Sequence, residues 1–396
     1  MSVHKSDLKT FKFPEFQKRI CFMLMLAGVV VLGLGFSGFY ANPQRAWANF
    51  LLNGIYFVTV AVFGLFFVAL HYLTGAKWSE AIRKIPEAMS QYLPVGAGLM
   101  LVGLFGIHHL YEWAHGSHAM GGHAGHGDFG KSVFLSPAFF AIRMALVLGL
   151  WVWFARVFKN ISRQRDEGVA ENSAMRWSAI FVIVFALSFA LASFDWIMSL
   201  EPHWFSTVFA VYHFSGVFVA GMAVIAIMVI VLSDLKILKA VNENHIHDLG
   251  KYLFAFTLFW AYIWFCQFML IWYGNIPEET VYYAQRIRGD WAWLFYFNLF
   301  INFIVPFGVL LSRASKRNSA LVFRVAILLL IGHWLDLYLL IMPPVTGAAS
   351  NIGLMEVAVA FGFAGAFALT VGRSLEKSPI LPAASPLLSE SLHHHQ

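Results

Sequence analysis

Ten apolar runs, each about as long as a bilayer is thick, leave this 396-residue chain little choice of fold. They fall near 20–40, 48–72, 92–112, 137–158, 175–198, 205–233, 252–273, 290–312, 320–342 and 352–372. Crossing a hydrocarbon core of about 30 Å takes roughly 20 helical residues. Lipid offers no partner to a backbone N–H or C=O, so each span must close its own hydrogen bonds as a helix. No barrel-like alternation of polar and apolar residues is present. With 59% hydrophobic and only 12% charged residues, the chain is too apolar for a domain whose surface faces water. The expected fold is an all-α polytopic membrane protein of ten transmembrane helices. It has an N-terminal arm over 1–19, a membrane domain over 20–374 and a tail over 375–396.

Orientation follows from the basic residues. The N-terminal arm carries five Lys or Arg, the even-numbered connections carry three, five, three and four, and the tail two, making 22 of the 27. The opposite loops hold Arg45, Lys131, Arg286 and Arg288, and Arg143 lies inside a span. Positive charge is retained on the cytoplasmic side, so both termini are expected there, in a multi-pass membrane protein. The net charge of +6 is then an inner-face bias and gives no indication of nucleic-acid binding. No small-residue cleavage site follows the first span, so that span is expected to stay. The Pro-rich 378–386 stretch reads as extended along partner surfaces or disordered.

Redox chemistry within the chain is poorly supported. Cys21 and Cys266 are the only cysteines, too few for a four-thiolate cluster or a Cys-x-x-Cys-His haem attachment. The span histidines His71, His108, His109, His213 and His333 do not pair on one helix as a two-haem cytochrome requires. A single haem between His108 and His213 is not expected. No phosphate-binding Gly-rich loop occurs. The loop over 113–131 gathers His115, His118, His123 and His126 among glycines at irregular spacing, and is read as solvated or partner-bound rather than metal-binding.

Ionisable groups within spans are costly and tend to mark pathways or pairs. One stretch, Phe194-Asp195-Trp196-Ile197-Met198-Ser199-Leu200-Glu201-Pro202-His203-Trp204-Phe205-Ser206-Thr207, places Asp195 and a Pro turn where the fifth span meets water. Asp195 stands seven residues before Pro202, as Asp336 stands seven before Pro343. The echo suggests two parallel four-helix bundles, spans 2–5 and 6–9, with the first and tenth spans flanking them. Rise per residue puts His108, Glu112, Arg143 and Asp195 in the outer third of one bundle, and His213, Asp290, His333 and Asp336 at outer to middle depth of the other. Arg143 is placed to neutralise Glu112 or Asp195. His333 and Asp336, three apart, share a helix face. Asn298, Asn302, Glu356, His71 and Tyr72 are candidates to extend a relay inward. Such clusters suit a quinol headgroup or a proton path, and equally suit structural ion pairs that fix helix register. Tryptophan and tyrosine are expected mainly in the interfacial belt.

The 194–207 stretch, with Val211-Tyr212-His213-Phe214-Ser215-Gly216 behind it, resembles the smaller of the two large membrane subunits, the F subunit, of alternative complex III. That subunit is a relative of the NrfD and polysulfide reductase membrane anchors, and the resemblance covers essentially the whole chain. It implies a subunit with no redox centre of its own, beside a sister membrane C subunit, an iron–sulfur subunit and multihaem cytochromes c. Haems and iron–sulfur clusters would sit on those partners, and electrons would pass from the quinone or menaquinone pool to a cytochrome c or other acceptor. On the motif itself, the resemblance points to Asp195 and His203, with His213 behind them, as quinone-binding or proton-relay groups. His108, Glu112, Arg143, His333 and Asp336 join them through the bundle argument. A proton-coupled transporter and a purely structural anchor are the alternative readings.

Overall fold

The computed structural model describes residues 11–39, 42–115, 133–167, 172–347, 352–377, 379–381 and 391. Among them there is no strand, and ten helical segments are long and apolar enough to cross a membrane. They are α1 (Glu15–Phe36), α2 (Pro43–Thr74), α3 (Lys84–Leu110), α4 (Pro137–Asp166), α5 (Asn172–Trp196), α6 (Phe209–Asp234), α7 (Glu243–Gly274), α8 (Gly289–Leu310), α9 (Ser319–Thr346) and α10 (Leu354–Glu376). By length and composition the chain is a multi-pass membrane protein. Residues 118, 123 and 126 of the His-rich loop lie outside the described residues.

Local chemistry sets the helix ends. Asn42 accepts from the Gln44 amide before Pro43 opens α2, and Gly75 closes that helix in the left-handed conformation at φ 62°. Asn242 caps α7 by accepting from the Asn244 and His245 amides. Two spans are irregular. The segment α3 breaks at Gln91 and tightens to a 3₁₀ turn over Gly103–Gly106. In α8 a π turn over Phe300–Ile304 precedes Pro306, whose missing N–H cannot serve the Asn302 carbonyl one turn back.

Helices α2, α6 and α9 are the most enclosed, while α1 and α7 present most of their surface outward. The central helix α2 packs against α3, α5, α6, α9 and α10. Around the far side of α6 and α9 lie α7 and α8. The outlying α1 runs along α10, where backbones touch. A Cβ on Gly28 would lie 2.9 Å from the Gly362 Cα and 3.2 Å from the Ala358 oxygen. Small residues at such crossings let helices approach in lipid, where packing replaces the hydrophobic drive. Trp113, Trp151, Trp196, Trp204, Trp260 and Trp291 are buried in the core.

The crossing gives a direct test. Gly28→Leu should lower stability by about 1–3 kcal/mol through overpacking against backbone that cannot yield. On the same helix, a side chain at Gly33 meets nothing within 4 Å, so Gly33→Leu should leave the detergent unfolding temperature unchanged. Equal temperatures for the two variants would contradict this packing.

Candidate functional site

Five carboxylates are buried among the described residues: Glu80, Asp195, Asp248, Asp336 and Glu356. Burying an unpaired charge is expensive, and four of them have a cation. Glu80 meets Arg83 at 3.1 Å, Asp195 meets Arg143 at 2.6 Å, Asp248 meets Lys251 at 2.6 Å and Glu356 meets Arg45 at 2.8 Å. Asp336 has no such partner among the described residues. Instead it is held by neutral donors from three other helices. Tyr212 of α6 donates to Oδ1 at 2.5 Å, Asn298 of α8 donates to Oδ1 at 2.8 Å, and Trp260 of α7 donates to Oδ2 at 3.1 Å. Asn302, in the π turn of α8, donates from Nδ2 to the Asn298 side-chain Oδ1 at 2.6 Å and so orients that amide. The Asn302 side chain fits because residue 332 on α9 is glycine; a Cβ there would fall 2.2 Å from its Oδ1.

Two small cavities flank Asp336. The first, about 20 Å³, lies between α2, α6 and α9 and is bordered by Tyr56, Thr59, His213, Gly216, His333 and Asp336. The Ser193 hydroxyl donates to the Phe189 carbonyl at 2.8 Å, so at 2.9 Å it must accept from His213 Nδ1–H. That fixes the tautomer and leaves Nε2 of His213 as a buried acceptor with no partner. Both ring nitrogens of His333 are likewise buried without partners. A Cβ on Gly216 would sit 3.2 Å from His333 Nδ1 and 3.7 Å from Asp336 Oδ2, so both groups point at one spot. A polar space of this size accommodates about one water, and is far too small for a porphyrin.

The second cavity, also about 20 Å³, lies on the other side of Asp336, beside Tyr212, Gln267, Tyr283, Arg286 and Asn298. Here Gln267 Oε1 is a buried acceptor with no partner. Arg286 closes the cavity, and the reason is in α9. Pro343 and Pro344 have no N–H to give the Leu339 and Leu340 carbonyls one turn back. Arg286 supplies both, donating to Leu339 O at 2.9 Å and Leu340 O at 3.4 Å. Its charge is met by Glu201 at 2.5 Å and by the Tyr282 ring, 3.6 Å from the guanidinium carbon. Burial opposes that charge, but Tyr282 and Glu201 outweigh it and leave the Arg286 pKa raised. Beyond this plug opens a vestibule of about 580 Å³ whose ionisable lining is Glu112, Glu201, His203, Glu278 and Tyr282.

The eight residues singled out in the sequence therefore divide. His213, His333 and Asp336 converge on one cavity. Glu112 and His203 are exposed on the vestibule, and His108 is exposed on α3, its ring 5.6 Å from that of His115. Arg143 pairs with Asp195 and not with Glu112. The pair is sealed: a second Arg143 nitrogen reaches Asp195 Oδ1 at 3.1 Å, a third donates to the Phe134 carbonyl at 2.7 Å, and Phe134 covers the guanidinium at 3.8 Å. Neither residue borders the cavities around Asp336. Glu356 does not extend a relay inward. It lies in the first turn of α10, bound by Arg45, Asn49 and the Gly353 amide. The sequence reading missed Tyr212, Trp260, Gln267 and Arg286 as site residues. The one available signal was Pro343-Pro344, which demands a donor from elsewhere inside the membrane.

Comparison with models of known protein families and with curated proteins finds no match to this chain.

The sealed pair has a measurable consequence. Asp195→Ala should cost about 3–5 kcal/mol by stranding a buried Arg143. The double replacement Asp195→Leu with Arg143→Met should recover most of the folded yield in detergent. A double variant no better than the single one would show that the fold needs this ion pair itself and not only the removal of an unpaired charge.

Proposed function

We propose that this chain is the F-type membrane subunit of a quinol:electron-acceptor oxidoreductase of the alternative complex III kind, and that it carries a proton half-path centred on Asp336. The observation that carries this reading is a buried carboxylate with no cation, set between two small polar cavities. A carboxyl whose charge is not pinned by a partner can take and give a proton where Asp195 and Glu356 cannot. His213 and His333 offer it acceptors on one side. On the other, Gln267 and the Tyr212–Tyr282 hydroxyls lead to the Arg286–Glu201 pair and the acidic vestibule lined by Glu112, His203 and Glu278.

The path is one-sided. From the first cavity toward His71, near the far end of α2, stands a layer of packed rings formed by Phe63, Phe66, Phe67, Phe185, Phe214 and Phe218. In this reading that aromatic layer separates Asp336 from His71, so a proton at Asp336 communicates with the vestibule face. In this reading α2–α5 and α6–α9 are two four-helix bundles related by an axis along the membrane normal. Helices α1 and α10 flank them, and both termini are cytoplasmic in the bacterial inner membrane. The sister membrane subunit, the iron–sulfur subunit and the multihaem cytochromes supply every redox centre. The chain's own residues hold a quinol-linked proton at Asp336 and connect it to the vestibule.

Two measurements test the reading. The tagged chain purified from its native membrane should bring haem absorbance and an iron–sulfur protein with it. If it runs alone and binds a solute, a proton-coupled transporter takes the place of this assignment. Within the intact complex, Asp336→Asn keeps the shape and the donors but cannot hold an exchangeable carboxyl proton. It should slow quinol turnover, and the proton release that accompanies it, by about tenfold or more, at the scale of a lost proton-transfer group, with assembly unchanged. Unchanged proton release would leave only a structural anchor.

A further inference from the structure

The face that carries the start of α1 and the end of α10 holds a cavity of about 680 Å³ that the proton half-path does not use. Its volume falls within the range of sites for small organic ligands, about 300–1,000 Å³. It lies between the last turns of α2, the connection to α3 and the first turns of α5. One end is cationic: Lys77, Arg83, Arg165 and Arg176 border it against a single lining carboxylate, Glu80. Arg83 is committed to Glu80, Glu87 and Asp166, and Arg165 leans on Glu80 at 3.5 Å. Arg176 is exposed, and no carboxylate lies within ion-pair reach of it among the described residues. The other end is apolar, formed by Phe67, Val68, Met175 and Ala179.

Two further features identify the occupant. Beyond Arg176, the residues Ile180, Ile183 and Leu187 continue along α5 at helical spacing and are 39%, 64% and 71% exposed, an apolar track leading away from the charged end. At the cavity floor, His71 is 93% buried, and its Nδ1 lies 2.7 Å from the Phe67 carbonyl. A carbonyl only accepts, so Nδ1 bears the hydrogen and Nε2 of the neutral ring is an acceptor with no partner among the described residues. The site thus joins cations for an anion, an acceptor for a hydroxyl and a track for a hydrocarbon chain.

We propose that this cavity binds an anionic glycerophospholipid whose headgroup bears a free hydroxyl. The phosphate sits on Arg165, Arg176 and Lys77, the hydroxyl donates to His71 Nε2, and one acyl chain lies along Ile180, Ile183 and Leu187. Arginine is suited to the phosphate because its fork presents paired donors to two oxygens. No covalent step is involved.

Delipidated full-length protein in detergent should be titrated with phosphatidylglycerol, phosphatidylmethanol, phosphatidylcholine and inorganic phosphate, reading thermal unfolding and native mass spectra. Phosphatidylglycerol should raise the unfolding temperature and persist as a bound adduct, while phosphatidylcholine and inorganic phosphate should do neither. Phosphatidylmethanol has the same charge without the hydroxyl and should bind several-fold more weakly. Arg176→Gln should weaken phosphatidylglycerol by about tenfold, a loss of about 1.4 kcal/mol, with the lipid-free unfolding temperature unchanged because the residue is exposed. Equal binding of phosphatidylcholine overturns the anionic site. An equal effect of inorganic phosphate overturns the lipid in favour of a simple anion. Equal binding of phosphatidylmethanol overturns the role of His71.

Discussion

Charge inside a low-dielectric bundle has to be paired, and the way this chain meets that rule organises much of its interior. Arg45 with Glu356 joins α2 to α10, Arg143 with Asp195 joins α4 to α5, and Arg286 with Glu201 ties the 277–287 surface helix to the end of α5. Beside the end of α10, Arg83 and Lys84 gather Glu87 and Asp166 between α3 and α4. Each pair fixes a helix register at the cost of desolvating two ions. Against that background Asp336 is the informative exception. Four helices contribute to its surroundings and none of them contributes a cation.

Irregular backbone collects at the same place. The π turn of α8 carries Asn302, which orients the Asn298 amide, and the Pro343-Pro344 pair leaves two α9 carbonyls for Arg286. Backbone distortion at membrane depth is tolerated where protein groups satisfy it again. Here that requirement brings a guanidinium into the bundle between the vestibule and the cavity beside Asp336. The plug is therefore a consequence of two prolines as much as of its own residue.

The two halves of the sequence echo diverge at this level. Asp195 and Asp336 each stand seven residues before a proline, yet one is locked to Arg143 and the other is left with Tyr212, Trp260 and Asn298. Sequence spacing brought both forward as equals. Their difference depends on what the facing helix carries at that depth, Arg143 on α4 in one case and Asn298 on α8 in the other. The same blindness affected Glu356, which looked like part of a relay until Arg45 was found against it.

What the sequence determined by itself is the set of ten helices and their approximate ends. Lipid forces every backbone group to be satisfied within its own segment, so length and hydropathy are enough to locate a span. It also brought forward His213, His333 and Asp336, because an ionisable residue in an apolar run stands out whatever surrounds it. Tertiary structure alone decided which carboxylates are neutralised, where the two small cavities lie and which way His213 presents its free nitrogen. Those outcomes depend on contacts between helices dozens or hundreds of residues apart. A side chain's position along its own helix says little about the partner that rotation and crossing will bring to it.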